Sequence, residues 1–342
     1  MKITYSESGV DIDKKDRIAE ELIKKIKFTR KGFGTPICLD GHFTSLIDFG
    51  RYSLSLCTDG VGTKIMIASE MKKWDTIGID CIAMNVNDMI CVGAEPIAFV
   101  DYIAMEKPDE EITRQIGIGL SKGAELSNLS IVGGETAILS DMVNGLDLAG
   151  TCLGYVEKGR EITGKRIKVG DCIIGLKSSG IHSNGYTLVR KVLKDSRSRY
   201  TYNDKIKGYS KKLGDVLLEP TRIYVKEILE AIKRFEIHGL ANITGSGLWN
   251  ISRLKNNVEF RISDPIKPQP IFKLLQELNR ISDYEMYQTF NMGMGFCIII
   301  NKKDCDDALA YLNDKWVGAK CVGEVVKGKG VSVPELKIKY KM

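Results

Sequence analysis

Residues 13–27 carry Ile18, Leu22, Ile23 and Ile26 at the three- and four-residue spacing of one helix face, with Asp13 placed to cap it. A glycine-containing, aromatic-bearing loop follows over 32–49. The run Tyr52-Ser53-Leu54-Ser55-Leu56 alternates with period two and predicts a half-buried strand ending at Thr58-Asp59-Gly60. A mostly apolar helix is expected over 76–91, a strand over 97–104, a helix near 110–126, a strand running into Gly133-Gly134, and a strand over 148–157. The second half reads as a strand at 172–176, helices near 185–195, 222–235 and 269–279, a strand at 296–300, a helix near 303–314 and a strand near 317–326. Strands and helices alternate in both halves, so an α/β or α+β class is expected. The charged, glycine-punctuated stretch 157–171 is read as the boundary between an N-terminal domain, 1–165, and a C-terminal domain, 166–342.

Two domains suit the length of 342 residues. The net charge of +6 is spread along the chain with no basic block interleaved with aromatics, which argues against nucleic acid and leaves anionic small molecules as the natural partners. The first residues contain no apolar segment resembling a signal peptide, and no run approaches membrane-spanning length, so a cytoplasmic protein without membrane association is expected. Nine cysteines form no C-x-x-C pair and sit mostly in apolar runs. They read as buried thiols in a reducing compartment, not as a disulfide framework or a zinc site.

Against this background a few polar residues stand out. The stretch CTDGVGTK (57–64) nearly spells a phosphate-binding loop, but an aspartate leads it and Thr63 precedes Lys64. Asp59 at a strand tip could hold Mg²⁺ while Gly60, Gly62, Thr63 and Lys64 face phosphates; the competing reading is an ordinary Asp-Gly turn. In the 76–91 helix, Asp80 and Asn87 are seven residues apart and share a face, with Asp88 one step around. Such acids in an apolar helix are either metal ligands or a solvated stripe. Glu135 follows two glycines. His182, Ser183 and Asn184 lie in a hydroxyl- and glycine-rich segment opening a helix, where an anion would fit, although a lone histidine is as often structural. Thr244, Gly245 and Gly247 repeat the strand–glycine–helix pattern.

The motifs occur in a telling order: GVDID (9–13), TDGVGTK (58–64), GIDCIAMNVND and GAEP (78–96), GGET (133–136), SSGIHSNGY (178–186), EPTRIYVK (219–226), HGLANITGSGLW (238–249) and TFNMGMG (289–295). Over residues 9–326 the chain resembles the phosphoribosylformylglycinamidine cyclo-ligase (aminoimidazole ribonucleotide synthetase) family. The resemblance implies a PurM-like α+β fold of two domains, with N-terminal strands joining across a homodimer into a β-barrel core. It implies ATP- and Mg²⁺-dependent closure of formylglycinamidine ribonucleotide to the imidazole of aminoimidazole ribonucleotide through an iminophosphate. It also implies Asp59 and Asp88 as metal ligands, Lys64 as a phosphate neutraliser, Asn87 and Glu135 in the nucleotide–metal site, and His182 as acid/base. Ser183 and Asn184 would then meet substrate, and Thr244, Gly245 and Gly247 a phosphate.

Two segments depart from the family pattern. The glycine-rich loop expected over ATP is here Leu39-Asp40-Gly41-His42-Phe43-Thr44-Ser45, and Asp40-Gly41-His42 is expected to serve as the lid. After GGET the chain reads Ala137–Met142 in place of the usual acid and proline. Rival readings are a sister ATP-using enzyme (thiamine-phosphate kinase, selenophosphate synthetase or hydrogenase-maturation type) or a non-catalytic nucleotide module. Cys38 lacks the setting of a selenophosphate synthetase, and the retained carboxylates argue against a non-catalytic module.

Overall fold

The computed structural model describes residues 12–39, 41–195, 198–315 and 317–340. Residues 9–11 of the first motif, the Asp13 side chain and Asp40 of the expected lid lie outside the described residues. Two sheets organise the chain. The first contains β1 (Pro36–Ile37), β2 (Ser45–Phe49), β3 (Tyr52–Gly60), β4 (Glu95–Met105), β5 (Ser130–Ile138) and β6 (Leu146–Glu157), in the order β1-β2-β3-β6-β4-β5. Only β4 and β5 run parallel within it. Parallel neighbours need a crossover, and the helix Glu110–Ser127 supplies it. Asp109 caps that helix by accepting from the amides of Glu111 and Ile112, and Asn128 ends it in the left-handed region.

The helices of this half are α1 (Ile12–Lys25), α2 (Lys64–Met71), α3 (Ile77–Met89) and the crossover α4. α3 lies on β3, β4 and β6 and against α4, so nearly all of it is buried. The polar residues of α3 are therefore not a solvated stripe, since Asp80 and Asn87 are both fully buried.

The second sheet has β7 (Cys172–Lys177), β8 (Ile237–Asn242), β9 (Glu259–Ile262), β10 (Met294–Ile300), β11 (Ala319–Val326), β12 (Gly330–Val333) and β13 (Ile338–Tyr340). Its order is β13-β12-β9-β11-β7-β10-β8. β10 is buried along its whole length, as its continuous apolar run requires. Helices α5 (Tyr186–Lys194), α6 (Leu213–Leu217), α7 (Val225–Arg234), α8 (Pro270–Asn279), α9 (Asp283–Thr289) and α10 (Cys305–Asp314) complete this half. Among the described residues no helix is long and apolar enough to cross a membrane.

Several expectations shift. β3 ends at Gly60 as expected, but Gly133-Gly134-Glu135-Thr136 lies inside β5 rather than after it. The 32–49 loop contains β1 and β2, β8 is the strand implied before the 244–247 glycines, and α2, α6, α9, β9, β12 and β13 have no counterpart in the sequence reading. The helix at 12–25 forms, but Ile18, Leu22 and Ile23 on its apolar stripe are about two-thirds exposed, as is Ile26 just past its end. One face of the first sheet is likewise open, with Leu56, Val100, Tyr102 and Val132 exposed on β3, β4 and β5.

Candidate active site

The buried face of α3 meets the loop 219–224 of the second half. Asp80 Oδ1 accepts from the Thr221 amide at 2.7 Å and from its hydroxyl at 2.6 Å. One heptad on, Asn87 donates to the Arg222 carbonyl at 2.8 Å and accepts from the Tyr224 amide at 3.1 Å. The shared face inferred from their spacing is real, but their partner is a peptide backbone. Asn87 is accordingly not among the groups facing a nucleotide, because both ends of its amide are taken.

Lys64 also departs from its expected role. Its ammonium pairs with Asp80 Oδ2 at 2.7 Å and donates to the carbonyls of Glu219 at 2.7 Å and His182 at 3.1 Å. The side chain is completely buried, and these three acceptors match its three protons. Burial pushes its pKa down, with Asp80 opposing the shift. A lysine so enclosed holds two carbonyls of the second half in place and is not free to neutralise a phosphate. Beside it Thr63 meets Thr187 of α5, hydroxyl to hydroxyl, at 3.1 Å.

Asp59 and Asp88 form a second carboxylate pair, near the end of α3. Asp59 is exposed at the end of β3, with one oxygen accepting from the Gly60 amide at 2.7 Å. Asp88, half-buried near the end of α3, accepts from Asn242 Nδ2 at 2.7 Å. Burial pushes Asp88 up to about 7; the Asn242 bond opposes this and nearby Asp59 adds to it. Two neighbouring carboxylates, one of them poorly solvated, form a donor set suited to a hard divalent cation. Asp101 lies in the same register row as Asp59, with Gly150 between them on β6.

The 178–185 loop closes the other side. His182 is buried at positive φ (67°), and its Nε2 accepts from the Ser179 amide at 3.2 Å, placing the neutral ring's proton on Nδ1. Burial, then Lys64 and Arg222, holds its pKa down at about 3. It is thus a neutral imidazole near pH 7, not the titrating acid/base expected from sequence. Ser183 meets the Thr221 hydroxyl at 3.0 Å, and Asn184 reaches Met84 of α3 at 3.9 Å. The 244–247 loop packs directly on it, since a Cβ on Gly245 would stand 3.1 Å from Asn184 Oδ1. Gly247 has φ +52° and a Cβ there would lie 2.0 Å from the Tyr287 carbonyl, so no larger residue fits. Gly245 therefore sits beside Asn184, with Thr244 and Gly247 joined in the same loop by the Gly247 amide donating to the Thr244 carbonyl at 2.8 Å, and Gly62 (φ 71°) leaves a turn next to Asp59.

Glu135 is the residue that is not gathered in. It is exposed on edge strand β5, paired in register with outward-facing Tyr102, on the opposite sheet face from Asp59 and Asp101. In the departing segment 41–44, His42 is held down at about 4 by burial and by Arg253, whose guanidinium lies 5.2 Å over the Phe43 ring. Asn242, Thr221 and Arg253 escaped the sequence reading. A buried asparagine closing β8, just ahead of the 244–247 loop, was the available signal for the first.

Two measurements probe this arrangement. Lys64→Met leaves Asp80 buried without its cation and should cost about 3–5 kcal/mol in urea unfolding; a loss below about 1 kcal/mol would mean the pair is hydrated. His182 has a folded pKa below its unfolded value of 6.5, so its neutral form stabilises the fold above that pH. That contribution is lost as pH falls from 6.5 toward 3. His182→Asn, which tolerates positive φ, should therefore show a shallower loss of stability between pH 7 and 5 than the parent. Identical slopes would show that His182 is not held neutral.

Comparison with known proteins places these features. The family model for the AIR synthase related protein, N-terminal domain, matches residues 41–156, and that for its C-terminal domain matches 168–334. Phosphoribosylformylglycinamidine cyclo-ligase from Methanosarcina acetivorans is 52% identical over 335 residues, covering 98% of each chain. Its namesake from Methanocaldococcus jannaschii is 48% identical over 326 residues, covering 95% of this chain and 92% of the relative. Among solved structures, thiamine-monophosphate kinase from Stenotrophomonas maltophilia K279a superposes with TM-score 0.64 at 18% identity, covering 93% of this chain and 94% of that one. AaThiL complexed with AMPPCP and TMP gives TM-score 0.63 at 16% identity, covering 95% and 94%. At those identities the structures share the fold, whereas the full-length sequence similarity decides the family: the chain belongs to the phosphoribosylformylglycinamidine cyclo-ligases.

Proposed function

We propose that the chain closes formylglycinamidine ribonucleotide to 5-aminoimidazole ribonucleotide, spending ATP and releasing ADP and phosphate, as a step of purine biosynthesis. The carrying observation is the convergence of the Asp59–Asp88 pair with the 182–185 and 244–247 loops on one side of α3. The amide oxygen of the substrate is a poor leaving group. Transfer of the γ-phosphoryl group onto it forms an iminophosphate, and attack by the neighbouring nitrogen then expels phosphate and closes the ring. Such transfer depends on positioning and charge neutralisation more than on a protein nucleophile.

Asp59 and Asp88 are the residues that would hold Mg²⁺, and Asn242 fixes the rotamer of Asp88 through its hydrogen bond. When bound there, a divalent cation would supply charge neutralisation for phosphoryl transfer. Gly60, Gly62 and Thr63 offer backbone and hydroxyl groups beside Asp59. Ser183, Asn184, Thr244, Gly245 and Gly247 line the substrate side. We assign His182 a positioning role: neutral and anchored on Ser179, it shapes the loop and can donate only from Nδ1. Thiamine-phosphate kinase-like action is the second reading, favoured only by fold.

We further place the domain boundary in the segment between β6 and β7, and the protein in the cytoplasm, where its nine free thiols would stay reduced. A homodimer is the natural cover for the open face of the first sheet, since Leu56, Val100, Tyr102 and Val132 are exposed apolar groups spread across β3, β4 and β5. Sedimentation equilibrium at micromolar concentration should return twice the chain mass of 38.1 kDa. A single-chain mass there would remove the dimer.

Protein supplied with ATP, Mg²⁺ and formylglycinamidine ribonucleotide should form ADP and the aromatic amine in equal, substrate-dependent amounts. Asp88→Asn should lower turnover by about a hundredfold or more at limiting Mg²⁺, with partial recovery at high Mg²⁺. ADP without the imidazole would favour a kinase-like reaction. Full activity of Asp88→Asn at limiting Mg²⁺ would remove the metal assignment.

A further inference from the structure

The sequence reading set aside a zinc site because no two cysteines are closely spaced. Folding changes that. Cys172 at the start of β7, Cys305 at the start of α10 and Cys321 on β11 bring their sulfurs within 4.8 Å of one another. All three are free thiols; Cys172 and Cys305 are buried and Cys321 is half-buried. They come from three elements separated by up to 149 positions in sequence (321 − 172), so no local motif could announce them. β11 is irregular at this point, its register against β7 shifting between Cys321 and Gly323. Cys321 Sγ lies 3.7 Å from the Gly323 carbonyl.

We propose that Cys172, Cys305 and Cys321 form a three-thiolate site for Zn²⁺, distinct from the nucleotide site and serving to tie α10 to the second sheet. A tetrahedral ion with Zn–S bonds of about 2.3 Å holds its sulfurs about 3.8 Å apart. The existing separations reach that by movements of about 1 Å or less, within cysteine rotamer freedom. The half-buried Cys321 provides an entry side and leaves a fourth position for water. Each thiol surrenders its proton on binding, and the charge of three thiolates is partly met by the ion itself. Lys302 acts on Cys172 from one side, and the amide end of α10 starts at Cys305. Burial raises the thiols of Cys172 and Cys305, so protons compete strongly with the metal. The site lies at the end of β7 opposite Ser178, so loading it should leave the cyclisation chemistry untouched.

The test is Zn²⁺ titration of the reduced full-length protein against a coloured chelator, repeated with Co²⁺ to read thiolate coordination in the near ultraviolet. One equivalent per chain is expected, with thiolate-to-cobalt absorption and affinity that weakens steeply as pH falls. Zn²⁺ should also raise the melting temperature of the parent protein. Cys321→Ser and Cys305→Ala should each weaken binding by at least about a hundredfold and abolish that thermal shift, while Cys38→Ser keeps both. Unchanged ATP turnover in Cys321→Ser would confirm that the variant is folded. The proposal is overturned if the parent takes up no stoichiometric Zn²⁺, if Cys321→Ser binds like the parent, or if Asp88→Asn rather than the cysteine variants removes the ion.

Discussion

Burying an ammonium and a carboxylate away from water is costly, and for the Lys64–Asp80 pair that cost is offset by hydrogen-bonding partners drawn from the other half of the molecule. Glu219 and His182 supply carbonyls to the lysine, and Thr221 supplies two donors to the aspartate. Asn87 repeats the arrangement two turns along α3. The consequence is a rigid seam in which the 182 loop and the 219–224 segment are registered against α3. Asp88, one residue beyond Asn87, is thereby set against Asn242, and Asn184 against Met84. The candidate site is built on that seam. Lys64 and Asp80 hold the halves together, whereas Asp59 and Asp88 lie outside that pairing.

That division explains what could be read in the chain beforehand. Long periodic segments such as 110–126 and the apolar run at 296–300 declare their own structure, because burial dictates their pattern. The seven-residue spacing of Asp80 and Asn87 correctly implied a common face and a demand for partners. It could not say whether a metal or a peptide would meet the demand, since both satisfy buried polar groups. Lys64 was misjudged for the same reason: a motif lysine beside glycines looks like a phosphate ligand until its surroundings are known. His182 needed the burial and the two neighbouring cations, none of them local in sequence, before its neutral state was evident.

Short elements were illegible for a different reason. β9, β12 and β13 have three or four residues each, too few for a period to emerge, and they exist because neighbouring strands offer them hydrogen bonds. The exposed stripe of α1 shows the converse failure. Its period is clear, yet the periodicity says only that a partner surface exists, not that the same chain provides it.

The seam also has a history in time. Lys64 and Asp80 leave the ribosome close together, but the carbonyl partners of Lys64 follow 118 and 155 positions after it and Thr221 follows 141 positions after Asp80. At roughly 5–20 residues per second, Glu219 arrives about 8–30 s later. Until then the lysine and aspartate remain hydrated on an unfinished surface, and α3 has no cover over its polar face. Translation of the second half therefore completes the first: the nascent N-terminal sheet can form early, but its final dehydration waits for a segment not yet made.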